Sequence, residues 1–231
     1  MQLRQWAGEY HRVEFISDDP VQFPHRYRGG KQEDVEICGL LTAILSFGNR
    51  KMILKKVNEL DAMMGHDPLR YVLSRKWIHD FPATDMNSFY RMVSFAAFRS
   101  YFELLYPVYA SGRTLEDVLL EYPGIPMQRL CAFLGVSNRS PQKKLNMFLR
   151  WMIRPASPVD FGVWKRMDPA DLIIPLDTHV CRMAYQLGLT TSQTFSLNNA
   201  KKITNALSDL FPGDPCLGDF ALFGYGVNHK D

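Results

Sequence analysis

Apolar residues recur along most of this chain at the three- and four-residue spacing of helices, and alternation with a period of two is nowhere sustained. Ile37, Leu40, Leu41, Ile44 and Leu45 form one stripe, Gly48-Asn49-Arg50 interrupts it, and Ile53, Leu54, Val57 and Leu60 resume it. Residues 33–64 therefore read as a helix pair. A helix is predicted from Phe89 to Tyr109, with Met92, Val93, Ala96, Ala97, Tyr101, Leu104 and Leu105 apolar. Short helices follow at Leu115–Tyr122, started by Thr114, and at Met127–Leu134. After Pro141, Leu145, Phe148, Leu149 and Met152 fall on one face. Two more helices are expected at about 178–187 and 198–211, then an irregular Gly- and Pro-rich stretch at 212–218 and a short final helix. No internal repeat is visible, and the fold class is all-α.

Composition adds little but excludes several classes. With 231 residues, 46% of them hydrophobic, the chain can bury a sizeable core as one domain or as two interleaved helical lobes. Its 15 Phe, 10 Tyr and 4 Trp speak against disorder. Cys38, Cys131, Cys181 and Cys216 are far apart and form no CxxC pair, so reduced thiols are expected, not a zinc or iron–sulfur site. No secretory leader is visible and no apolar run is long enough for a membrane span, so a cytoplasmic protein is expected. A net charge of +3 does not by itself announce a nucleic-acid partner, and local charge must carry that argument.

Two local patterns carry chemistry. In Pro175-Leu176-Asp177-Thr178-His179-Val180, a carboxylate sits at the start of an apolar helix, where an Asp ordinarily caps the orphan N–H groups. Upstream, Arg139 to Arg166 holds seven basic residues against one acid, Asp160. Lys143 and Lys144 fall in a first helical turn, where the helix dipole disfavours cations. An adjacent anion such as a phosphate would explain that placement, while a solvated helix face is the plain alternative.

The order of these elements resembles the HhH-GPD superfamily of DNA base-excision glycosylases. Leu134-Gly135-Val136-Ser137 is similar to its hairpin turn, Lys143 to Leu149 to its lysine helix, and Leu176-Asp177-Thr178-His179 to its Val-Asp-Thr-His segment. Leu40 to Ser46 is similar to an early helix whose following turn, here Gly48-Asn49-Arg50, supplies a wedge into the base stack. Asp219-Phe220-Ala221-Leu222-Phe223 and Gly226 look like an element lining an 8-oxoguanine pocket, with Phe223 in place of Trp. The hairpin departs from the pattern: Ser137 replaces the second glycine, and Asn138 to Gln142 is an insertion.

That resemblance implies a single two-lobed unit with a degenerate helix-hairpin-helix. Its first lobe would span about 33–134, and its second about 135–231 with the N-terminal arm. It implies a monomeric repair glycosylase acting on double-stranded DNA with a flipped base, an oxidised purine being one candidate, without a metal or organic cofactor. Asp177 would stabilise the developing sugar cation. A neutral lysine amine would displace the base and form a Schiff base, giving possible lyase activity.

Lys143 ranks first as nucleophile because the motif selects it; Lys144, four residues before Phe148, leans toward the buried stripe. Asn49, Arg50, Lys51, Arg139, Arg150, Arg154 and His179 are candidate DNA contacts, and Asp219 and Phe223 candidate base-pocket residues. Each has a plain alternative: surface charge, helix hydrogen bond, cap or core aromatic. A non-catalytic DNA-binding module is the first rival reading. A metal phosphohydrolase built on His66-Asp67 and His79-Asp80 is the second.

Overall fold

The computed structural model describes residues 2–228. In chain order the helices are α1 (Gln2–Tyr10), α2 (Gln22–His25), α3 (Gln32–Leu45), α4 (Arg50–Met63), α5 (Pro68–Ser74) and α6 (Trp77–Asp80). A hairpin of β1 (Ser88–Tyr90) and β2 (Val93–Ser94) precedes α7 (Phe95–Ala110) and α8 (Leu115–Leu119). Then come α9 (Pro126–Leu134), α10 (Lys143–Ile153), α11 (Thr178–Gln186), α12 (Leu197–Leu210) and α13 (Pro215–Asn228). The fold is all-α apart from that one two-stranded hairpin. Two compact units emerge, one from Asp19–Tyr122 and one from Met1–Asp18 with Pro123–Asp231. The division falls before Pro123, so α9 belongs with the helix it leads into, α10.

In the Asp19–Tyr122 unit, α3 is buried from Val35 to Leu45, and α2, α4, α5 and α7 pack around it. Two of its buried acids are fully engaged. Glu36 accepts from the Tyr109 hydroxyl (3.0 Å) and the Leu115 N–H (2.9 Å), tying α3 to α7 and α8. Asp61 accepts from Arg26, Tyr27 and His66 and so holds α4 to the segment after α2. The expected helix from Phe89 begins only at Phe95. Ser94 Oγ caps it by accepting the Ala97 N–H (3.1 Å), and Phe89 and Tyr90 lie instead in β1, with Tyr90 paired to Val93. Strands of three and two residues are too short to show an alternation.

In the other unit α10 is buried from Leu145 through Ile153, and α1, α11 and α12 pack around α13 (Pro215–Asn228). The expected short final helix is instead the 14-residue α13, which begins at Pro215, a residue suited to a first helical position. Its glycines lower helix propensity, but one of them permits packing. A Cβ on Gly224 would meet the Tyr10 ring at 2.2 Å, so α1 can lie directly on α13, with Trp6 stacked on Tyr225 at 3.8 Å. Among the described residues no helix is long and apolar enough to cross a membrane.

Candidate functional site

Asp177 is the N-cap of α11: the Val180 N–H donates to its Oδ1 (2.9 Å). The side chain is half-buried, and Oδ2 takes no part in the cap. The cap is thus real, and it fixes the carboxylate at the helix start.

Lys143 and Lys144 open α10, also half-buried. This helix start has no side-chain cap and no acid in its first turn, and its N-cap residue Gln142 sits in the left-handed region at φ 46°. Gln142 instead donates its side-chain N–H to the Ser137 carbonyl (2.5 Å) across the α9–α10 connection. Two ammonium groups therefore share a helix end whose N–H groups already carry positive potential. Burial, and then the neighbouring charge of Lys143, push the Lys144 amine below its ordinary pKa. Lys143 Nζ makes only a weak contact to Met147 Sδ (3.7 Å).

Asp219, on α13, is 3% exposed. Arg150 Nη1 donates to its Oδ2 (2.6 Å), while Oδ1 is buried with no hydrogen-bond partner. Burial raises this carboxyl to about 6, against the pull of Arg150. Asp177 adds to the rise and Lys143 opposes it, so both lie within electrostatic reach of Asp219. The starts of α10 and α11 thus carry Lys143 and Asp177 within electrostatic reach of Asp219 on α13, with Lys144 next to Lys143 in sequence.

Arg150 and Arg154 were expected to meet DNA phosphates, and here the structure corrects the sequence reading. Both are buried, at 6% and 2% exposure. Arg150 Nε donates to Asp160 Oδ1 (3.2 Å), and Arg154 pairs with the other oxygen of Asp160 and grips Asp214 through two bonds of 2.7 Å. Phe220 lies under both guanidinium groups, at 4.3 and 5.3 Å from its ring centre. Desolvation works against each charge, but the aspartates hold both arginines firmly protonated. His11 reaches this cluster through Ser157 Oγ (2.7 Å), and burial followed by Arg154 lowers its pKa.

The remaining expected site residues are scattered. His179 Nδ1 lies 3.1 Å from the Gly226 carbonyl, which also accepts from Arg182, so its ring is engaged with α13. Phe223 is half-buried between the edges of Phe15 and His179, a packing position. Arg139 is exposed and lines a depression of about 440 Å³ with Met127, Gln128, Asn138, Asn198 and Lys201. Asn49, Arg50 and Lys51 belong to the other unit, where Asn49 Oδ1 caps α4 by accepting from the Lys51 and Met52 N–H groups. Sequence reasoning missed Asp214 and His11 as members of the ionic cluster. Asp160, the lone acid in the basic segment, was the one available signal.

The metal phosphohydrolase alternative finds no geometry. His66 is turned onto Asp61, His79 is exposed, and the described residues contain no group of three or more His, Cys, Asp or Glu placed to hold a metal ion. No curated protein and no solved structure matches the chain. The expected membership of the HhH-GPD superfamily is overturned, because the family model that matches is a different one and covers residues 19–134 and 126–228. The chain belongs to the family described as "Protein of unknown function (DUF2400)".

Proposed function

We propose that this protein excises a damaged base from double-stranded DNA, acting as a cytoplasmic monomer, with Asp177 and a lysine at the start of α10 as its chemical pair. One observation carries the reading: a half-buried carboxylate and a lysine from separate elements lie within electrostatic reach of one buried acid, beside an amine that burial has made easier to deprotonate.

Breaking an N-glycosidic bond builds positive charge on the sugar. A fixed carboxylate whose second oxygen is not used by its cap can face that charge. A neutral lysine amine can attack C1′: its lone pair forms the new C–N bond as the bond to the base breaks, and the base leaves with that electron pair and takes up a proton. Loss of an amine proton and opening of the sugar ring then give a Schiff base, from which strand cleavage can proceed. The lowered pKa favours Lys144 for this step, whereas the electrostatic link to Asp219 favours Lys143. An oxidised purine is the first lesion to try.

The test is borohydride reduction of the protein mixed with duplexes carrying single lesions or an abasic site. A covalent adduct is expected with the native chain. Either Lys143→Gln or Lys144→Gln is expected to abolish it, and the other to leave it largely intact. Asp177→Asn is expected to slow base release by about 10²- to 10³-fold in single turnover. Base release without an adduct would mean that water, not lysine, attacks. Binding with neither adduct nor base release would sink the enzymatic reading in favour of a DNA-binding module.

A further inference from the structure

Residues 2–12 form an arm that closes on the Pro123–Asp231 part of their unit. Trp6 stacks on Tyr225, Tyr10 fills the space left by Gly224, and Arg4 donates to the Leu210 carbonyl (3.1 Å). Within α1 only Trp6 and Ala7 are buried. A helix of nine residues is marginal on its own in water, so α1 depends on these contacts. At the end of the arm, half-buried His11 reaches Ser157 and Arg154.

The hydrogen bonds there fix the state of its ring. Ser157 Oγ accepts the N–H groups of Val159 (3.1 Å) and Asp160 (2.8 Å), which occupies both lone pairs of the hydroxyl. Ser157 therefore has only its hydrogen to give, to His11 Nε2 at 2.7 Å or to Asp160 Oδ2 at 3.3 Å. The other neighbour of Nε2 is Arg154 Nη1 at 3.5 Å, which is a donor and never an acceptor. Nε2 thus faces donors alone and must present its lone pair, so the ring is neutral with its proton on Nδ1. A proton added to Nε2 would find no acceptor and would stand against a guanidinium.

The surroundings agree. Burial works most strongly against a charged His11, followed by Arg154; Asp160 and Asp214 favour the charge, and Arg150 opposes it. The balance leaves the ring below its ordinary value of about 6.5. From α13 come Phe220, its ring centre 4.5 Å from that of His11, and Asp219, which is turned onto Arg150. Glu9 and Arg12, beside His11 in the chain, are exposed.

We infer that His11 is a proton-operated latch: while its ring is neutral the arm stays docked on α13, and its protonation releases residues 2–12 and leaves the other helices of the unit folded. Arg154 keeps Asp160 and Asp214 as partners when the arm leaves, so α10 has no reason to unfold with it. The sign follows from the lowered value. The released arm takes up the proton first, so docking is at full strength above about pH 6.5 and weakens below it.

Amide hydrogen exchange, expressed as protection relative to the unfolded rate at each pH, reads the latch. In the native chain the protection of α1 is expected to fall about tenfold from about pH 7.5 to about pH 5.5, while that of α10 holds. His11→Gln offers a carbonyl acceptor that does not titrate, and its α1 protection is expected to stay level. Asp219 titrates in the same range with the opposite sign, since protonation relieves its buried charge; Asp219→Asn is therefore expected to keep the native fall. Ring ¹⁵N shifts of the native chain at about pH 7.5 supply a readout that needs no variant, and are expected to show the Nδ1–H form.

Level α1 protection in the native chain would overturn the latch, as would an Nε2–H ring. An equal fall in α10 would overturn it too, because the whole unit and not the arm would then be loosening. A His11→Gln chain that falls like the native one would assign the effect to another group and sink the assignment to His11.

Discussion

Around Phe102, the core of the Asp19–Tyr122 unit is built from rings: Tyr71, Trp77, Phe81 and Phe98 all lie within 6.1 Å of it, centre to centre. Around Phe220, in the other unit, the corresponding interior holds Arg150, Arg154, Asp160 and the nearby Asp219. Rings gain by being dried. Charges lose by it unless geometry returns the loss. The ionic interior is also incomplete, since Asp219 Oδ1 has no partner. A fold that needed only stability would have no reason to leave a buried carboxylate oxygen unpartnered within electrostatic reach of a capping carboxylate. The difference between the two interiors is the main reason for placing the chemistry in the second unit.

The sharpest way to break this contrast is to damage each core once. Phe102→Ala is expected to cost about 3–5 kcal/mol through the cavity it leaves, equally at all moderate pH values. Arg150→Met is expected to cost a similar amount, about 3–5 kcal/mol, near neutral pH, because it strands buried carboxylates. Below the Asp219 value of about 6 the second loss should shrink, since that carboxyl then takes up a proton and no longer needs its partner. Denaturant unfolding at several pH values reads both variants. An Arg150→Met loss as flat with pH as that of Phe102→Ala would show that the two cores do not differ in kind.

A smaller effect isolates Asp219 itself. Its carboxyl is raised from the ordinary value to about 6, so the folded chain binds that proton more tightly than the unfolded chain does. Ionising it therefore costs stability, and the cost grows as pH rises from about 4 through about 6. Asp219→Asn has no such proton to lose. The native chain should thus lose on the order of 2–3 kcal/mol relative to the variant across that window. A constant difference would mean that Arg150 fully compensates the buried charge.

How far the two regions were legible in the sequence follows the same contrast. The apolar stripes announced α3, α4 and α10, and Thr114 and Asp177 announced the capped starts of α8 and α11, whereas the cap at Asn49 was not foreseen. These are local signals, fixed by neighbours within four residues. The β1–β2 hairpin was invisible because Phe89 to Phe95 is apolar enough to extend a helical stripe and only Ser94 marks the true start. The length of α13 was hidden by its glycines, of which Gly224 makes room for Tyr10, more than two hundred positions away in the chain. The burial of Arg150 and Arg154 was hidden likewise. Their partners Asp214 and Asp219 come from a distant helix start, and a basic stripe looks the same whether water or aspartate faces it. The helix-start positions of Asp177 and the lysine pair, and the lean of Lys144 toward the buried stripe, could be read from the sequence; how far that amine is desolvated could not, because burial is a tertiary property.

The finest test concerns Asp177, where structural and chemical roles coincide in one carboxylate. Asn and Ser cap helices nearly as well as Asp, so Asp177→Asn and Asp177→Ser should change stability by only a few tenths of a kcal/mol. Asp177→Ala, which removes the acceptor for the Val180 N–H, should cost about 1 kcal/mol. Base release should not follow that order. It should fall in all three variants alike, because each lacks the negative charge, whether or not the helix remains capped. If Asp177→Asn and Asp177→Ser keep both the melting temperature and the rate, the residue is a cap and nothing more. The unfinished ionic interior behind it would then need another explanation. If stability separates the variants while the rate does not, the carboxylate acts on something outside its own helix.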